Sequence, residues 1–449
     1  MSGVIQSFVF LDGTALPAES WSVSIPSYGA IGSFRAVVSS EILSKYGVDP
    51  YALGRRSKRQ VPVSIAAQAA GGELANIFGG EMDVVDWDFQ TDTVTFTGRD
   101  WAGLLADTKR VLMGVQTVGA PYAPTEESIT AQAQPLSPST PVGASPFAPS
   151  TLFKSINVQD QTPVQLATYI AQRNGFTPVI PPSALSAPQP SVGAIIGGFA
   201  MSARTPRTEW SILQFLARIM GWFCYVTPDR SLVFGPPVAG DPFRATWNIS
   251  TPAPGEFPCR DLHITYNPRR NVNFMVIVAS HHVASLEYSQ KYVAVPSSNL
   301  VDDISVEFPD IAMHSNEWYI GSAGSGTGIT SDRISALFAN LGKPVYLYTG
   351  LNLSPNECQA QAFAKALDIA KRELIIAFSV DGNTGIQPNQ RITLRGDVGP
   401  FGSRSFYVNS IEHEFSMDKG WWTHVHGWTL PPGMENNNLL QQAGITSAP

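Results

Sequence analysis

His413, His424 and His426 stand close to Glu412 and Glu414 near the C-terminal end. Imidazole and carboxylate are zinc ligands, so the group could in principle hold a metal ion. Strand parity places His424 with His426 on one face, and Glu412 with Glu414 on a face opposite His413. Half-buried strand histidines are the plainer reading. Asp83, Asp86, Asp88 and Asp92 form an acidic segment. Two carboxylates facing one cleft would suit glycoside hydrolysis. Val84, Trp87 and Phe89 interleave with these acids, however, as in a strand with one solvated face. Arg55-Arg56-Ser57-Lys58-Arg59 is the one basic run. A localisation signal, a nucleic-acid patch and a loop contacting an acidic neighbour are all open. The surroundings are not basic, which favours a loop in a protein interface. GSAGSGTG, from Gly321 to Gly328, lacks the Lys-Ser/Thr ending of a phosphate loop and reads as a flexible turn. No GxSxG, HExxH or zinc-finger spacing occurs. No catalytic, cofactor-binding or metal residue is assigned, no cofactor is expected, and the chain reads as not an enzyme.

The composition narrows the classes. The chain has 449 residues, enough for about three domains. Hydrophobic residues make up 43%, as in a globular chain. Charged residues are 14%, against about 25% in an average soluble protein. So little charge predicts a surface largely covered by partners. The net charge of -7 argues against a dedicated nucleic-acid binder, which needs a basic face. MSGVIQSFVFLDG has no basic n-region and does not read as a secretory signal. The apolar run from Val192 to Met201 is far short of the roughly 20 residues of a membrane span. Cys224, Cys259 and Cys358 are scattered and read as reduced thiols.

Glycine, proline and short alternating runs predict a β-rich α+β fold. In a first block, 1–118, strands are expected at Ser22 to Ile25, Phe34 to Ser39, Val61 to Ala67, Met82 to Phe89 and Asp92 to Thr97. Asp100 is placed as the N-cap of a short helix carrying Trp101, Leu104 and Leu105. Residues 119–150 are rich in Pro, Ser, Thr and Ala and read as a linker or arm. The block 151–258 holds an internal repeat, TPVQLATYIAQRNGF and TEWSILQFLARIMGW. Each copy is an amphipathic helix, a glycine stop and an apolar strand, giving two small helix-strand modules. Thr162 with Gln165 is a capping box, with Pro163 at the first helical position. In the last block, 259–432, strands are expected at DLHITYN, VNFMVIVAS, ELIIAFSV, RITLRG, SFYVNSIEHEF and WWTHVHGWTL. A helix there opens at the capping box Ser354 to Glu357. A less regular insertion spans 285–346, and 433–449 is a polar tail.

The order of these blocks resembles the baseplate or tail hub proteins of tailed bacteriophages, the late-control D family, including contractile-tail hubs. The resemblance rests on VTFTGRDWAGLLADT, the helix-strand pair, and LSPNECQAQAFAKALDIAKRE leading to VNSIEHEFSMDKGWWT. It runs from about residue 80 to 430. It implies two tube-like antiparallel β-barrel domains, 1–118 and 259–432, flanking the two modules. It further implies a homotrimer whose six barrels form a pseudo-sixfold ring. That ring would join the hexameric tail tube, or a distal tail protein, to a trimeric spike and let DNA pass without specific binding. Baseplate wedge and tape-measure proteins are further implied partners. The implied location is the virion tail baseplate, assembled in the bacterial host cytoplasm, with no membrane. The two barrel blocks do not match each other well by eye, and the 285–346 insertion departs from the family. The acidic segment and the histidines motivate an alternative, a tail-associated peptidoglycan or glycan hydrolase. Trp421, Trp422 and Trp428 motivate another, a carbohydrate-binding protein.

Overall fold

The computed structural model describes residues 6–27, 30–56, 61–68, 72–113, 155–157, 161–186, 192, 207–220, 222–236, 241–267, 275–281, 288–295, 319–322, 345–351, 369 and 371–429. The predicted 119–150 arm, the Ser354 to Glu357 capping box and the 433–449 tail lie outside them.

The chain opens with a hairpin of β1 (Ser7–Leu11) and β2 (Thr14–Pro17). Asp12 and Gly13 between them have φ of 47° and 84°. Two left-handed residues make the tight turn whose twist matches paired strands, and Asp-Gly is suited to it. Next come β3 (Ser20–Pro26), β4 (Ser33–Ser39), α1 (Ser40–Lys45) and α2 (Pro50–Arg56). Arg55 and Arg56 therefore end a helix instead of sitting in the expected loop, and 57–60 lie outside the described residues. Then follow β5 (Val61–Gln68), β6 (Leu74–Asp88), β7 (Thr93–Asp100) and α3 (Ala102–Asp107). The strands pair in the order β2-β1-β5-β6-β7-β4-β3. Alternation fixes which side is covered: Trp21, Val23, Val94 and Phe96 are buried, while the serines and threonines between them face outward.

Trp101, not the expected Asp100, is the N-cap of α3, but Asp100 at the end of β7 still anchors the start of the helix. Its Oδ1 accepts from the Ala102 N–H at 2.9 Å and its Oδ2 from the Gly32 N–H at 2.8 Å, tying α3 to the approach of β4. Burial raises its carboxyl to about 7, against the pull of those two N–H groups and of Arg99.

The middle of the chain holds β8 (Lys109–Met113), β9 (Ser155–Asn157), α4 (Pro163–Arg173), β10 (Thr177–Val179), α5 (Pro182–Ser186), β11 (Arg207–Thr208), α6 (Glu209–Met220), β12 (Phe223–Val226) and β13 (Ser231–Gly235). The Thr162–Gln165 capping box forms with Pro163 in the first turn. The repeated helices end alike. Phe176 N–H donates to Ala171 O at 2.9 Å, and Trp222 N–H donates to Ala217 O at 2.7 Å. Gly175 supplies the left-handed φ of 73° that the first stop needs. The two copies share one sheet, β10-β13-β12, and are linked by Asn174 Nδ2 donating to Glu209 Oε2 at 2.6 Å.

The last part contains β14 (Phe243–Trp247), β15 (Glu256–Pro258), β16 (Arg260–Tyr266), β17 (Met275–His281), β18 (Tyr288–Val295), β19 (Tyr319–Ser322), β20 (Val345–Leu351), β21 (Leu374–Asp381), β22 (Arg391–Gly396), β23 (Ser405–Ser416) and β24 (Gly420–Trp428). The insertion is more regular than expected: β18 and β19 lie within it and join the expected strand β17, and β20, in a four-stranded sheet in the order β19-β18-β17-β20. Gly321 and Ser322, expected in a flexible turn, belong to β19 and pair with Val293 and Tyr292.

The two large parts repeat one topology. In chain order, β1 to β7 correspond to β14, β15, β16, β21, β22, β23 and β24. Six ladders recur: β1–β2 as β14–β15, β1–β5 as β14–β22, β5–β6 as β22–β23, β6–β7 as β23–β24, β4–β7 as β21–β24, and β3–β4 as β16–β21. Only β14 runs the other way, parallel to both its neighbours. A further ladder, β3 with β23, joins the two repeats into one 14-stranded sheet. The expectation of two antiparallel barrels is corrected in detail. Among the described residues no ladder joins β2 to β3 or β15 to β16, so neither repeat is a closed barrel.

Gly98 and Gly427 hold equivalent places in this repeat. A Cβ on Gly98 would lie 2.0 Å from Glu81 O, and one on Gly427 would lie 2.9 Å from Tyr407 O. Neither backbone can retreat without breaking a ladder. Gly98→Ala is expected to cost about 3 kcal/mol, the upper end for overpacking, read as a lowered chemical unfolding midpoint.

Candidate functional site

The joint between the repeats builds one broad polar face. Residues directly opposite across a ladder share a face. Glu412 on β23 is opposite His424 on β24 and Ser24 on β3, and Glu414 is opposite Trp422 and Ser22. His424 is opposite Ser379 on β21, Ser22 is opposite Arg35 on β4, and Arg35 is opposite Thr97 on β7. Thr95 and Thr93 lead on to Asp86 and Asp88 of β6. The face thus crosses eight strands, β16-β21-β24-β23-β3-β4-β7-β6. Its reverse side feeds the two cores, one around Trp21, Val23 and Phe96, the other around Phe378, Ile411 and Val425.

Hydroxyls and carboxylates dominate this face, and two of its arginines, Arg99 and Arg260, lie against acids. Arg99 Nε lies 2.8 Å from Asp83 and its NH1 3.0 Å from Asp107, so both carboxylates hold its proton more tightly. Arg260 lies 3.5 Å from Asp381, with its guanidinium 4.8 Å from the centre of the Trp422 ring. A groove of about 440 Å³ runs over the joint, lined by Ser20, Ser22, Arg35, Glu414, Lys419 and Trp422 among others. A neighbouring one of about 390 Å³ is lined by Asp261, Ser379, Glu412, Glu414, His424 and His426 among others.

The candidate metal group weighed in the sequence does not assemble. His413 points into the core, is 3% exposed, and has Nδ1 3.0 Å from Thr423 Oγ1. His424 lies on the polar face with Glu412 and Glu414. Among the described residues no three His, Cys, Asp or Glu side chains are grouped to hold a metal ion. His424 Nδ1 is 2.8 Å from Ser379 Oγ, and its Nε2 is 3.7 Å from Glu414. Serine, histidine and acid are therefore adjacent, but all three side chains rise from mid-ladder positions on three paired strands.

The acidic segment also separates. Asp83 is paired with Arg99, and Asp88 accepts the Gln90 and Thr91 N–H groups in the β6–β7 turn. Asp92 lies in that turn with φ of 52°. Of the three tryptophans, Trp421 and Trp428 are buried and Trp422 lies beneath Arg260. Cys224 and Cys259 are buried free thiols, and burial raises both above the usual thiol range.

No protein-family model matches the chain, and no curated protein matches it in sequence. Solved structures do match. A tail protein from Neisseria meningitidis MC58 is similar over 96% of this chain and 98% of its own, with a TM-score of 0.52 and 13% identity. The 43 kDa tail protein of prophage MuSo2 from Shewanella oneidensis is similar over 94% and 98%, with a TM-score of 0.52 and 9% identity. The chain has the fold of phage tail proteins. In this tail-protein fold the polar face is the feature that residue types alone did not reveal. Its signal lay in the outward positions Ser20, Ser22 and Ser24 and Thr93, Thr95 and Thr97, which alternate with apolar residues. Among the described residues no helix is long and apolar enough to cross a membrane.

Proposed function

We propose that the chain is a structural tail hub, forming a trimeric ring that joins a hexameric tail tube or distal tail protein to a trimeric spike. The observation that carries this reading is the doubled seven-strand topology, six ladders recurring within one chain. Three chains, each with two equivalent repeats, offer six similar units to a sixfold tube while remaining threefold toward a spike. Chain-to-chain pairing would also cover strand edges that are otherwise open to aggregation. In this reading the ring domains are 1–118 and the second repeat, which begins at β14 (Phe243–Trp247) instead of the expected 259; the two helix-strand modules pack beside them, and 119–150 is an arm to a neighbour. The eight-strand polar face lines the bore. Its hydroxyls and carboxylates surround few cations, of which Arg99 and Arg260 lie against acids, so a passing duplex meets little fixed positive charge to hold it by counterion release. The location is the virion tail, and no catalysis is assigned.

Light scattering of the purified chain tests this. The expected mass is three times that of the 48.4 kDa chain. A stable monomer at micromolar concentration and above would remove the reading. The hydrolase alternative is expected to fail in a peptidoglycan-clearing assay, with no activity at any concentration.

A further inference from the structure

The topological repeat leaves one position unmatched among the described residues. The long strand of each repeat, β6 or β23, has β7 or β24 along one edge. Along the other edge of β23, Arg391–Thr393 of β22 pair with Ser405–Tyr407, and then Ser20–Pro26 of β3 pair with Ser410–Ser416. Along the equivalent edge of β6, β5 pairs from Leu74 to Met82. Among the described residues no strand follows it, so Asp83 to Asp88 present an edge without a ladder. The equivalent of β3 in the second repeat is β16, which pairs only with β21 among the described residues. Among the described residues the sheet therefore has two edges without a ladder that correspond, by topology, to the two strands already joined inside the chain.

We propose that Asp83 to Asp88 of one copy pair antiparallel with β16 of a second copy, repeating the β3–β23 joint between chains. This rests on the ring reading above. The register follows from the repeat. Both long strands carry a bulge, between Met82 and Val84 and between Val408 and Ser410. Counting from the bulges, Val84–Thr97–Arg35–Ser22 across the first repeat matches Ser410–His426–Ala377–His263 across the second. The internal pairs Glu412 with Ser24, His413 with Val23 and Glu414 with Ser22 thus become Asp86 with Thr265, Trp87 with Ile264 and Asp88 with His263.

The side chains suit that register. Trp87, on the core side of β6, is 39% exposed and would cover half-buried Ile264. In the internal joint the same role falls to His413 against Val23. On the polar side, acidic Asp88 meets His263, and Asp86 meets the hydroxyl of Thr265. The polar face then continues unbroken from copy to copy.

The test is a disulfide across the proposed pair in the full chain. Opposed antiparallel residues have Cα atoms about 4.5–5.5 Å apart, within disulfide range, whereas diagonal ones at about 7–8 Å are outside it. Asp88→Cys with His263→Cys, oxidised under native conditions, is expected to move the denaturing-gel band from one chain mass to two and three. Asp86→Cys with His263→Cys, one diagonal away, and each single variant should stay at one. Both positions are exposed, and an unchanged melting curve checks folding. A light-scattering mass of three chains without the on-register crosslink would overturn this pairing and leave the ring reading standing. A monomer without crosslinks would overturn both.

Discussion

Trp21→Ala is expected to lower stability by about 4 kcal/mol, among the largest effects of any single truncation at the joint. Trp21 sits on β3, is 2% exposed, and stacks on Phe415 of β23 with ring centres 5.7 Å apart. Trp421 of β24 packs against it at 6.2 Å, and the Trp21 indole N–H donates to Ser7 Oγ on β1. One ring thus connects four strands drawn from both repeats. Truncation leaves a cavity that sheet strands, held by their ladders, cannot collapse to fill. Urea unfolding should show a lowered midpoint. It should also show the two repeats beginning to unfold separately, because the lost contacts are those that join them. Ser22→Ala, one residue along on the polar face, should shift stability by less than about 0.5 kcal/mol. Equal effects of the two substitutions would mean that the joint is not held by its buried side.

The second large effect is acid sensitivity carried by His413. Burial holds its pKa down to about 3 from 6.5, with the charge of His424 a lesser cause. The folded chain therefore keeps the imidazole neutral, 3.0 Å from Thr423 Oγ1 and beside Trp421. The unfolded chain takes up a proton as pH falls through 6.5, and the folded chain does not until about 3. More protons on the unfolded state mean that stability is fully present above pH 6.5 and declines as pH falls toward 3. Each tenfold difference in proton affinity between the two states is worth about 1.4 kcal/mol, so the loss is on the order of 5 kcal/mol. His413→Asn should remove that share of the pH dependence, leaving a flatter curve of urea midpoint against pH between 3 and 6.5. Parallel curves for the two chains would contradict a neutral buried imidazole.

The sequence was most legible where local chemistry and topology coincide. Thr162 and Gln165 cap α4 as their types predict, and the matched Ala171 and Ala217 accept equivalent hydrogen bonds at the two helix ends. Strands such as Val61–Gln68 and Leu374–Asp381 were readable from alternation and β-branched runs. The Asp12-Gly13 hairpin carries an equally plain turn signal, which reading the N-terminal segment only as a possible leader passes over. The relation between the two large repeats was not legible. Ladders constrain parity and shape but not residue identity, so the repeats keep corresponding glycines, Gly98 and Gly427, and little else by eye. Parity correctly separated His413 from Glu412 and Glu414. Which histidines those glutamates would meet depended on the β23–β24 register, and a register is a long-range property no local pattern carries. Of the β17–β20 sheet, β17 was readable in VNFMVIVAS, whereas β18 and β19 inside the insertion, and the parallel pairing of β17 with distant β20, were not.

In the proposed assembly, two equivalent repeats per chain close into a ring with a polar bore. Electron cryo-microscopy of the purified chain, viewed down the assembly axis, tests it most directly. The expected image is an annulus of three chains whose six lobes look alike at low resolution, with the Glu412, His424, Ser22 and Thr95 face turned inward. An annulus with that face turned outward, or particles with one chain and no central opening, would contradict it.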